Sequence, residues 1–129
     1  MLVDASAIVA ALLREPEADA LLERLDSSDR RATHALSLFE AATAVARRKE
    51  CSIADAYTEV SSFAAAAGLE VIALQTPEAI AALEAHARYG KGRHPAKLNM
   101  GDCFSYAVAK LRGMPLLYKG GDFSQTDLA

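Results

Sequence analysis

Four acidic residues stand at the ends of apolar strands or the starts of helices. Asp4 ends the run Met1-Leu-Val, Glu40 lies in Ser37-Leu-Phe-Glu40, Asp102 in Asn99-Met-Gly-Asp102, and Asp122 follows Tyr118-Lys-Gly-Gly. Two carboxylates about 4 Å apart repel by about 4 kcal/mol at an effective dielectric of 20, and a hard divalent cation removes that repulsion. An all-oxygen set with no Cys or His in it favours Mg²⁺, with Mn²⁺ as a substitute, over zinc. A cation held this way, with open positions, orients water and neutralises charge on a phosphodiester under attack, so the chemistry implied is phosphodiester hydrolysis. All four acids, Asp4, Glu40, Asp102 and Asp122, are candidates to hold such a cation. Ser6, two residues past Asp4, suits a supporting hydrogen bond better than ligation. Each acid also has an explanation that needs no ligand. Asp4 fits an N-cap, Ser37 and Glu40 a capping box, Asp102 the positive end of a helix dipole, and Asp122 a turn.

The elements that must position these acids alternate along the chain. Met1–Val3 reads as a strand, Ala7–Leu13 as a helix stopped by Arg14-Glu15-Pro16, and Leu21, Leu22 and Leu25 as the buried stripe of a second helix. A short strand near Arg31–Ala35 precedes a helix from Leu38 to Lys49 whose expected core residues are Phe39, Ala42, Val45 and Ala46. Ser52 caps the next helix and Gly68 closes it; Leu69–Leu74 is the clearest strand; Thr76 and Pro77 open a helix with Ile80 and Leu83 as core. Asn99–Gly113 reads as a helix buried through Phe104, Val108 and Leu111, and Met114–Tyr118 as a fourth strand. Alternating strands and helices predict an α/β fold, a mostly parallel sheet of four or five strands between helical layers. All four acids then face the carboxyl edge of that sheet, where such folds bind ligands.

Composition narrows the function classes. The 129 residues, 52% of them hydrophobic, suit one domain over 1–129 with one core. A net charge of −3 argues against a general nucleic-acid coat, and the scarcity of aromatics, with no Trp, against stacking platforms for bases. With an acid already at the fourth residue, no leader is expected; no run is long enough to span a membrane, and the expected location is cytoplasmic. Cys51 and Cys103 are expected as free thiols. Positive charge concentrates in the glycine- and proline-broken stretch Tyr89–Leu98, where Lys91, Arg93, His94 and Lys97 are expected to hold substrate phosphates together with Lys119. Arg47-Arg-Lys49 reads first as a dipole-matched helix end and second as an RNA contact, and His34 as a structural strand residue.

The segments carrying the acids, MLVDASA, SLFEAATAVARR, YGKGRHPAKLNMGDCFSYAVAK and LLYKGGDFSQTDL, resemble the PIN-domain ribonucleases, specifically the VapC toxins of bacterial toxin–antitoxin pairs. The resemblance spans essentially the whole chain, and its last two segments are highly specific. It implies a PIN-like α/β/α sandwich, Mg²⁺-dependent endonucleolytic cleavage of RNA, commonly tRNA or rRNA, a homodimer, and neutralisation by a VapB-type antitoxin. Carried over, the resemblance implies Asp4 and Asp102 as the surest metal ligands, with Glu40 completing an acidic triad and Asp122 as the fourth, variable acid that, like Glu40, is a possible ligand. Gly121 departs from the Asp or Asn that many relatives carry there. The alternative function is a PIN-fold module that binds RNA or protein without catalysis. A phosphate-accepting signalling domain would need an aspartate at the end of the middle strand, where this chain has Leu74-Gln75.

Overall fold

In the computed structural model, which describes residues 1–128, Leu2 and Val3 form a strand of two residues whose side chains enter different cores. Leu2 packs with the group that includes Ala32, Ile72 and Leu116, whereas Val3 packs with the group that includes Ile8, Val45, Val60 and Leu117. That split is the two-residue period of a strand with both faces covered. The strands are β1 (Leu2–Val3), β2 (Ala32–His34), β3 (Glu70–Ile72) and β4 (Leu116–Leu117). They form one four-stranded sheet in the order β3-β2-β1-β4, parallel throughout.

Helices α1 (Ala5–Leu12), α2 (Ala18–Asp26), α3 (Ala35–Lys49) and α4 (Ile53–Ala66) supply the core of one face, and α5 (Thr76–Tyr89) and α6 (Met100–Arg112) that of the other. The sandwich is the one expected, with four strands and no antiparallel member among the described residues. Because β1 is flanked by β2 on one side and β4 on the other, the strand order reverses there, and the crevice past its carboxyl end is the natural ligand site of such a sheet.

Several expected core residues are instead on the surface. Phe39 is 66% exposed, Ile80 54%, Leu83 68% and Leu111 50%. On α3 the buried stripe runs through Ser37, Ala41, Ala42, Val45 and Ala46, and on α5 through Glu78, Ala82, Ala85 and Tyr89. Alanine on these stripes lets helices approach closely, so the bulky apolar residues are left on the opposite sides. The start of α3 also differs. His34 is its N-cap and accepts from the backbone N–H of Ser37, so the expected capping box between Ser37 and Glu40 does not form. Gln75, not Thr76, caps α5.

Candidate active site

Asp4 leaves β1 with its backbone N–H on the carbonyl of Leu117 in β4 and its side chain capping α1. Oδ2 accepts from the backbone N–H of Ser6 at 3.0 Å and from its hydroxyl at 2.7 Å, while Oδ1 accepts from the Ser105 hydroxyl at 2.7 Å. The Ser6 hydroxyl in turn accepts from the backbone N–H of Lys119 at 3.0 Å, tying the two strand ends of the switch point together. Asp102 sits in the first turn of α6, 8% exposed, in a true capping box: the Asn99 N–H donates to Asp102 Oδ2 at 3.1 Å and the Asp102 N–H to Asn99 Oδ1 at 2.9 Å. Asp4 and Asp102 therefore cap helices and face the site at once. Glu40, freed from capping, lies one turn into α3. Its carboxylate rests against Gly101, where any Cβ would overlap it.

These side chains line one cavity of about 420 Å³. Its walls carry Asp4, Glu40, Asp102 and Asp122, joined by Ser6, Asn99, Glu15, Arg47, Arg48 and Lys119. Burial, followed by the charges of Asp4, Asp122 and Glu40, pushes the Asp102 carboxyl up to about 7 against the opposing Asn99 hydrogen bond. Burial, then the charge of Asp4, likewise raises Glu40 to about 7. Among the described residues no three His, Cys, Asp or Glu side chains converge into a ready ligand set. The arrangement is an open, acid-walled cavity, not a closed cage.

The cations divide differently from expectation. Lys119 lines the cavity, but its Nζ contacts Glu15 at 2.6 Å and Glu17 at 3.4 Å. Lys91, Arg93, His94 and Lys97 lie outside the cavity wall; His94 accepts from the Ala96 N–H through Nδ1 and packs edge-on against Tyr89. Arg47 and Arg48, first read as a solvated helix end, stand on the wall, and Glu15, read only as part of a helix stop, stands between Arg48 and Lys119. The three-to-four-residue helical spacing from Glu40 through Thr43 to Arg47 was the signal for the arginines: it puts them on the face of α3 that bears the acid. His34 also has a connection to the acids that its sequence context did not show. Its Nε2 lies 2.9 Å from Ser105 Oγ, one hydrogen bond from Asp4.

The family model of the PIN domain matches residues 1–128. A VapC ribonuclease of Rhizobium meliloti is 42% identical over 98% of this chain and 97% of its own length. The chain belongs to the PIN-domain family, within its VapC ribonuclease group. Ribonuclease VapC30 of Mycobacterium tuberculosis is 40% identical over 100% of this chain and 96% of its own, and the ribonuclease VapC of Mycolicibacterium smegmatis is 40% identical over 100% and 98%. The crystal structure of Mycobacterium tuberculosis VapC20, described as a toxin that cleaves the sarcin–ricin loop, has the same PIN fold, with a TM-score of 0.71 at 21% identity over 95% of this chain and 92% of that one.

Proposed function

We propose that this PIN-domain chain is a Mg²⁺-dependent endoribonuclease, the toxin of a VapBC-type pair, which hydrolyses phosphodiester bonds in tRNA or rRNA. The observation that carries the reading is the acid-walled cavity at the strand-order reversal, with carboxylates from the end of β1, α3, α6 and the loop after β4 on its walls. Its donor set fits a hard cation: every candidate ligand atom is an oxygen, and burial, reinforced by the neighbouring carboxylate charges, raises Asp102 and Glu40 to about 7, an opposition to ionisation that a bound cation would relieve. The open geometry suits Mg²⁺, which keeps several of its waters, better than the closed tetrahedral site of structural zinc. Asp4 and Asp102 would hold the cation, with Glu40 and Asp122 beside it. A cation held there would supply a water of lowered pKa and charge neutralisation at the phosphate. Arg47 and Arg48 on the rim, Lys119, and the loop cations Lys91, Arg93, His94 and Lys97 would hold flanking phosphates.

A homodimer and a VapB-type antitoxin are part of the same reading, as is a bacterial cytoplasmic location. Exposed Phe39, Leu83 and Met100 border adjoining apolar grooves that share Ala79, Met100 and Phe104, a surface suited to protein contact. Incubating the purified chain with total RNA in EDTA, Mg²⁺ or Mn²⁺, and mapping the new 5′ ends, tests the proposal. Discrete cuts that need the metal and vanish in Asp4→Asn are expected. Tight RNA binding without new ends would instead favour the non-catalytic module.

A further inference from the structure

The buried polar chain behind Asp4 has a direction fixed by its own hydrogen bonds. His34, at the end of β2, is fully buried, as are Ser37 and Ser105. The Ser37 backbone N–H donates to His34 Nδ1 at 3.2 Å, so the imidazole carries its proton on Nε2. That Nε2–H faces Ser105 Oγ at 2.9 Å and Ser37 Oγ at 3.1 Å. Ser105 has one hydroxyl hydrogen, and it goes to Asp4 Oδ1 at 2.7 Å, leaving its lone pairs to accept from His34. Asp4 thus receives three donors, two from Ser6 on Oδ2 and one from Ser105 on Oδ1. Of the roughly four lone-pair sites of a carboxylate, one on Oδ1 stays uncommitted.

Resting on the metal-site reading above, we propose that Ser105, oriented by His34, is a positioning residue that fixes the Asp4 carboxylate so that Oδ1 presents its free lone pair to the cation. Capping of α3 accounts for His34 Nδ1 but not for the line from Nε2 through Ser105 to Asp4. Burying an imidazole and two hydroxyls at a strand end costs desolvation that an apolar side chain would avoid. Hydrogen bonds behind a ligand carboxylate fix its orientation, and their removal typically lowers metal affinity about 10–100-fold.

The test is isothermal titration of Mn²⁺ into the purified full chain, with the metal-free melting temperature measured alongside. Ser105→Ala is expected to raise the Mn²⁺ dissociation constant about 10–100-fold while melting within a few degrees of the wild type, and its RNA cleavage should recover when Mn²⁺ is raised in proportion. Should it not fold, Ser105→Cys, a side chain of similar size and weak donor strength, replaces it with the same expected loss. His34→Phe should shift the affinity in the same direction. A Ser105 variant that folds and binds Mn²⁺ within twofold of the wild type overturns the positioning role, and unchanged affinity in His34→Phe removes His34 from it. Asp4→Asn separates the two readings. If that variant still binds Mn²⁺ normally, the metal site itself is wrong; if it loses binding while Ser105→Ala does not, only the positioning inference fails.

Discussion

At the scale of single residues, the cavity places acids where burial and neighbouring charge oppose their ionisation. Asp102 titrates near 7 in the fold and near 3.8 when unfolded, so its contribution to stability is fully present below about pH 4 and is lost as pH rises through 7. Asp102→Asn keeps an acceptor for the Asn99 N–H but has no charge. Its melting temperature in EDTA should therefore exceed that of the wild type by several degrees at pH 8, with the gap closing by about pH 4, as scanning fluorimetry across pH would show. The same variant, and Asp4→Asn, should lose RNA cleavage by about 10²-fold or more, which single-turnover assays would record. The acids were legible in the sequence because each sits beside a strand end or a helix start. The partners that orient them were not, because a hydrogen bond from Ser105 to Asp4 crosses almost the whole chain and leaves no local spacing to read.

At the scale of elements, the approach of α3 to α6 brings Glu40 to the site, and Gly101 is what permits it. Gly101→Ala would put a methyl group where the Glu40 carboxylate lies. Because that carboxylate is the far end of a flexible side chain, the expected outcome is a folded protein with Glu40 displaced and RNA cleavage reduced about tenfold, shown by a crystal structure beside a cleavage assay. On the outer turns of α3, Arg48→Ala should weaken RNA binding and lower the slope of log affinity against log salt by about 1, measured by fluorescence anisotropy. Helix and strand types were read correctly from periodicity and punctuation. On α3, Ala42, Val45 and Ala46 are buried as expected and Phe39 alone was misplaced; on α5, Ile80 and Leu83 were given the core because they are large and apolar, when Ala82 and Ala85 take it.

At the scale of the whole molecule, stability and site share the segment after β4. Phe123 is fully buried against Tyr118, next in sequence to Asp122, and the tail beyond it is held by Asp127 on the Tyr106 hydroxyl and the Lys110 ammonium. Phe123→Ala should cost about 3–5 kcal/mol, a large part of a domain's usual margin, and urea unfolding would measure it. The α/β sandwich was legible because strands and helices alternate throughout; the flank on which β4 pairs was not, since that depends on contacts between the two ends of the chain. The pairing of β1 with β4 has a consequence for synthesis. β1 leaves the ribosome well before β4 and is paired on only one side until Leu116 and Leu117 follow. The emerging polypeptide therefore has no finished cutting centre until the segment that carries β4 and Asp122 has been made and has joined the sheet.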